Sequence, residues 1–211
     1  MRLFVALDVP DAVAASLMLI QGGVPGARWQ RREQLHLTLA FIGEADGRDA
    51  AMIDDALAGI RAPGFSLQLH GVGQFGAPRE HRPAKVRSGF AFGRATQQLW
   101  AGVRANPALE HLQRKVETAI RRAGTPPTSE NNKAHKFTPH VTLARMRQPE
   151  PGKVVEWLTH HALHTSAEFA VRAFHLWSSK LTSDGSIYRI EQSYELETVH
   201  GDEAGDSEVG D

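Results

Sequence analysis

The chain has 211 residues, 41% of them apolar and 23% charged, which is the composition of a soluble globular protein with room for one well-developed core. Its 24 basic residues match its 24 acidic ones, so net charge gives no reason to expect tight, non-specific nucleic-acid binding. The absence of cysteine excludes disulfides, thiolate metal sites and a cysteine nucleophile, and it fits a reducing cytoplasm.

The amino-terminal "MRLFVALDVP" lacks the uninterrupted apolar region of a signal peptide, because Asp8 and Pro10 break it. The longest nearly apolar stretch, "AVAASLMLI", is far short of the about 20 residues a membrane span needs. A soluble, cytoplasmic protein with no membrane association is therefore expected. "RLFVALDV" reads as a strand, and 11–21 as a helix with Asp11 as N-cap, closed by Gly22, Gly23, Pro25 and Gly26. Residues 35–42 form a strand and 49–61 a helix ending before Pro63. "FSLQLHGV" alternates apolar and polar as a half-buried strand does, and "LWAGV" at 99–103 is a further short strand.

"NPALEHLQRKVETAIRRAG" is the clearest helix. Asn106 caps it and Pro107 suits its first turn. Leu109, Leu112, Val116, Ala119 and Ile120 share one face, Arg121 and Arg122 favour its C-terminal dipole, and Gly124 stops it. "PHVTLARM" is then a strand and "VVEWLTHHAL" a helix. "EFAVRAFHLWSSKL" and "IYRIEQSYELETV" are two strands joined through Asp184-Gly185. Residues 1–199 are expected to be a single bilobal domain. The tail from 200 to 211 carries five acids and no large hydrophobe but Val209, and reads as disordered. Interleaved elements ending in an antiparallel hairpin argue for an α+β fold over a doubly wound parallel sheet. Neither G-x-G-x-x-G nor G-x-x-x-x-G-K-[ST] occurs.

"LHLTLAF" at 35–41 returns as "PHVTLAR" at 139–145, and both read His-x-Thr-Leu-Ala. Successive side chains of a strand point to opposite faces. His36 and Thr38 therefore share one face while Leu35, Leu37 and Leu39 take the other, and His140 and Thr142 lie opposite Val141 and Leu143. Each strand anchors itself by its apolar face and presents imidazole beside hydroxyl on the other. Two such strands side by side make a cleft with two of each. One copy would be read more simply as a half-buried core histidine beside a β-forming threonine. That reading gives no reason for a second copy.

The doubled motif resembles the 2H phosphoesterase superfamily, and the wider sequence is similar to its RNA 2′,3′-cyclic phosphodiesterases, formerly called 2′-5′ RNA ligases. The stretches that carry the likeness are "MRLFVALDVP", "ARWQRREQLHLTLAFIGE", "GVGQFG", "LWAGVRANPALEHLQRKVE", "FTPHVTLAR" and "LWSSKL". The resemblance implies two similar lobes of mostly antiparallel sheet, helices outside, related by a pseudo-two-fold about a central cleft. It implies hydrolysis of RNA 2′,3′-cyclic phosphate ends to 2′-phosphates, with His36 as proton donor to the leaving 3′-oxygen and His140 as the base that activates water. Spacing alone leaves the two histidines interchangeable. Histidines titrating near neutrality, one starting neutral and one protonated, suit such an in-line reaction. Thr38 and Thr142 would donate to the non-bridging phosphate oxygens. The same groups serve the reverse reaction, 2′-5′ ligation, and a non-catalytic RNA- or phosphate-binding module is the rival outside enzymes.

Further candidates surround this core. Regular alternation puts Arg145 on the face opposite His140 and Thr142; a bulge would turn it toward phosphate. Phe41 and Phe137 can stack on a base or belong to the core. Lys180 and "SSK" resemble the family's closing hairpin, and can line the cleft. His160 and His164 stand i, i+4 on a helix beside His161, but without an acidic partner they read as a surface face rather than a metal site. No metal and no cofactor is expected. The expected partner is RNA with a 2′,3′-cyclic phosphate end, or a cyclic nucleotide, bound by a monomer. The 77–98 segment "APREHRPAKVRSGFAFGRATQQ" departs from the family, and its five basic residues against one acid suggest a mobile surface loop acting on RNA affinity.

Overall fold

The computed structural model describes residues 1–76, 97–125, 137–182 and 185–198. The basic segment from 77 to 96, Asp184 of the expected turn, and the acidic tail lie outside the described residues. In chain order the elements are β1 (Arg2–Asp8), α1 (Asp11–Leu19), β2 (Ala27–Trp29), a 3-10 turn (Arg32–Gln34), β3 (His36–Glu44), α2 (Gly47–Ala58), β4 (Phe65–Leu67) and β5 (Leu69–Phe75). There follow β6 (Gln97–Val103), α3 (Pro107–Arg122), β7 (His140–Met146), α4 (Pro151–His161), β8 (Phe169–Val171), β9 (Ala173–Thr182) and β10 (Gly185–Glu195).

Seven strands form one antiparallel sheet in the order β10-β9-β1-β3-β7-β6-β5, with β2 pairing β7 as the eighth. β4 and β8 make a separate two-stranded sheet. This is the expected α+β architecture, and the strand order reveals its two halves. β1 and β3 pair in one half as β6 and β7 do in the other, and the halves meet where β3 touches β7. That junction is the pair Leu37–Val141, each the middle residue of its own His-x-Thr motif. In the small sheet Ser66 faces Ala170, which stands 104 positions on, the same separation as His36 from His140. A pseudo-two-fold thus runs between the two motifs, and one continuous sheet spans both halves.

The main core lies between this sheet and the helices. Leu35, Leu37 and Leu39 of one motif and Val141 and Leu143 of the other meet Leu17, Ile53, Leu57, Leu112, Val116 and Ile120 there, all buried. The apolar stripe read from α3 is the one that is buried, with Ala119 at its edge. Asn106 caps α3, its side-chain oxygen accepting from the Leu109 amide at 2.9 Å. The opposite face of β1 carries a small second cluster of Phe4, Ala6 and Trp177, with Tyr188 against it.

Three expectations change. Asp11 does not cap α1; Pro10 holds that position and Asp11 opens the helix, its carboxylate instead accepting from Arg32 at 2.7 and 2.8 Å. "FSLQLHGV" and "EFAVRAFHLWSSKL" each break into two strands that join different sheets, β4 then β5 and β8 then β9. At the breaks the carbonyls of Gln68 and Arg172 accept from the Arg104 and Leu196 amides. Period-two alternation survives such a corner, so it cannot reveal the change of sheet. The helix expected at 49–61 starts two residues earlier and ends at Ala58, because the Asp46 carboxylate caps it through the Asp49 amide at 2.8 Å.

Candidate active site

His36 opens β3 and His140 opens β7, on adjacent strands either side of the pseudo-two-fold. Both are half-buried, as are Thr38 and Thr142 on the same face. Each imidazole Nδ1 donates to the carbonyl two residues before it, His36 to Gln34 at 2.8 Å and His140 to Thr138 at 2.7 Å. A carbonyl only accepts, so the proton of each neutral ring sits on Nδ1 and Nε2 is left with its lone pair. The two histidines are therefore held in one tautomer by the same local device.

Aromatic rings wall both. Phe4 lies 4.9 Å from the His36 ring, Tyr188 5.1 Å and Trp177 6.0 Å. Phe75 lies 4.9 Å from His140 and Trp100 6.2 Å. Trp100 reaches this position only because its partner across the strands is Gly73: a Cβ there would stand 2.2 Å from Cζ2 of the indole. Burial among these rings disfavours the charged imidazole. It pushes His36 down to about 4, aided by the charges of Arg145 and His140 and opposed by the Gln34 carbonyl. His140 is lowered by the same desolvation, against the pull of the Thr138 carbonyl. Desolvation thus favours the neutral form of both imidazoles, whereas the expected reaction starts with one of them protonated. Periodicity carries no information about such desolvation.

Both motif strands bulge just beyond the threonine. The register slips between Ala6–Thr38 and Val5–Ala40 in one half, and between Trp100–Thr142 and Leu99–Ala144 in the other. Two consecutive residues of each strand, Leu39 and Ala40 and then Leu143 and Ala144, are consequently buried. The slip reverses the alternation and brings Phe41 and Arg145, equivalent under the pseudo-symmetry, onto the histidine face. The cleft is hence asymmetric, with a half-exposed aromatic ring on one side and a guanidinium on the other.

Two candidates do not join them. Phe137 packs against the main core. Lys180 pairs with Ile187, while their neighbours Ser179 and Tyr188 pair on the cleft side. Lys180 therefore points away from the histidines. His160 is exposed on α4 and the His161 ring lies tilted against Trp157, centroids 4.9 Å apart; among the described residues no three metal-ligating side chains gather. Phe4, Phe75, Trp100, Trp177 and Tyr188 were not singled out from sequence. No signal local to the chain marks them, because the pairing of distant strands brings them to the rings.

Comparison with known proteins agrees with this geometry. The family described as LigT-like phosphoesterase matches residues 7–84 and 103–188. An RNA 2′,3′-cyclic phosphodiesterase of Thermus thermophilus is 34% identical over 96% of this chain and 94% of its own. One of Archaeoglobus fulgidus is 29% identical over 90% and 97%. The crystal structure of TT0787 of Thermus thermophilus superposes with a TM-score of 0.66 at 27% identity, over 95% of this chain and all of that one. With matched segments spanning both motifs and most of the chain, the protein belongs to the LigT-like phosphoesterase family.

Proposed function

We propose that the protein hydrolyses the 2′,3′-cyclic phosphate ends of RNA to 2′-phosphomonoesters by two-histidine acid–base catalysis. The observation that carries this is the pair of imidazoles on adjacent strands, each locked by its Nδ1–H and offering Nε2 for proton transfer. His140 Nε2 takes a proton from water as the oxygen attacks phosphorus. The bond from phosphorus to O3′ breaks, and His36 Nε2–H supplies the proton that O3′ requires. Thr38 and Thr142 donate to the non-bridging oxygens, and Arg145 adds positive charge where negative charge accumulates. Phe41 offers a face for the base. The names of the relatives support the same substrate class.

An acid of pKa about 4 is unprotonated in the free enzyme at pH 7. The bound phosphodiester anion opposes the desolvation that depresses His36, so on this reading substrate binding and protonation of His36 occur together. Both proton transfers belong to imidazoles, and the reading requires no metal. A monomer in a reducing compartment, consistent with the cysteine-free composition, completes it. The test is incubation with 2′,3′-cyclic nucleotides and identification of the product: a 2′-phosphate is expected, and a 3′-phosphate or no turnover would overturn the assignment.

A further inference from the structure

Beside the histidines, on the β2 edge of β7, lies a cavity of about 320 Å³. We propose that it is a second phosphate subsite, which holds the phosphodiester on the 5′ side of the terminal nucleotide and makes the enzyme prefer a chain end to a cyclic mononucleotide. The inference rests on the function proposed above.

Four arginines line the cavity, Arg28, Arg31, Arg145 and Arg147, and none of the described lining residues is acidic. Their convergence is set by the sheet. β2 pairs Arg28 directly with Arg145, and Arg147 follows on the same side because Met146 between them is buried in the core. Guanidinium forks suit phosphate oxygens in particular. Arg31 also lies 3.9 Å from the Glu33 carboxylate, but both side chains are well exposed and such a pair competes weakly with a bound phosphate.

The rim is preformed. Gln34 Nε2 donates to the Ser186 carbonyl at 2.8 Å, fastening the 3-10 turn to the start of β10. Gly185, at the rim beside Gln34 and Arg28, takes a φ of 131°, a conformation that favours glycine. Two of the lining residues tie the cavity to the His36 side of the reacting centre. Tyr188 lines it and packs on His36, and Arg145 lines it and acts on the His36 charge. In the proposed reaction His36 faces the leaving 3′-oxygen, so the ribose and its 5′ substituent lie on this side and the attacking water on the other.

The experiment compares kcat/KM for adenosine 2′,3′-cyclic phosphate (A>p), its 5′-phosphorylated form (pA>p) and the dinucleotide ApA>p. The enzymes are wild type, Arg28→Gln and Arg147→Gln, across a salt series. Wild type should favour ApA>p over A>p by about tenfold, and each variant should lose about tenfold on ApA>p, mainly in KM, with A>p unchanged. The salt slope for ApA>p should fall by about one. A dinucleotide that gains nothing over A>p, even if pA>p does, would overturn the subsite, as would equal losses on A>p and ApA>p. Absence of wild-type turnover on all three would sink the proposed function instead.

Discussion

Replacing His36 by glutamine should make the protein more resistant to acid, and the structure sets the size of the effect. An unfolded histidine titrates near 6.5, whereas burial holds His36 at about 4 in the fold. Above pH 6.5 the ring is neutral in both states and contributes no pH dependence. As pH falls below 6.5 the unfolded chain takes up a proton that the folded one refuses, and stability declines until about pH 4, where both are charged. The full loss is about 3 kcal/mol, roughly 2 kcal/mol of it reached by pH 5. Glutamine cannot titrate, so the variant lacks this loss while sharing the contributions of His140 and the other lowered histidines. Urea unfolding of both proteins between pH 4 and pH 7.5 gives the double difference directly. Wild type should lose about 3 kcal/mol more than the His36→Gln variant across that range. Parallel curves would refute the buried, neutral imidazole and with it the coupling of protonation to substrate binding.

Four other outcomes follow from the same geometry. His36→Ala or His140→Ala should abolish turnover with unchanged circular dichroism, and the double variant should be no slower than the worse single one, since the pair acts as a unit. Turnover should persist in excess EDTA, and kcat should show a bell-shaped pH profile; a better leaving group should rescue His36→Ala but not His140→Ala. Arg145→Gln should lower kcat/KM on cyclic mononucleotides by roughly 10–100-fold, and an unchanged value would remove it from the phosphate site. Gly73→Val should displace Trp100 from beside His140, costing about 1–3 kcal/mol by thermal or urea denaturation and lowering kcat; a variant of native stability and rate would show that the indole has another place to go.

Much of the site was legible along the chain because its key spacing is local. The doubled His-x-Thr, read with a strand's period of two, placed the imidazoles and hydroxyls on one face and their leucines in the core, as β3 and β7 do. α3 announced its cap, its stripe and its stop for the same reason: capping and amphipathicity involve residues within one or two turns. Other features depended on which strand lies beside which. The bulges that turn Phe41 and Arg145 into the cleft arise from registers against β1 and β6, and period-two counting alone put Arg145 on the wrong face. Lys180 was misplaced because a neighbouring strand, not its own sequence, shows which face of β9 meets the cleft. Phe137 went to the core by packing that no spacing encodes. The histidines' low basicity belongs to this class too. Phe4, Tyr188, Trp177, Phe75 and Trp100 come from β1, β10, β9, β5 and β6, and only the assembled sheet brings them around the rings. Sequence by itself determined which groups carry the chemistry, because their identity and spacing are written within a strand; the tertiary structure decided their charge state and their neighbours, because desolvation and facing side chains are contributed by residues far away in the chain.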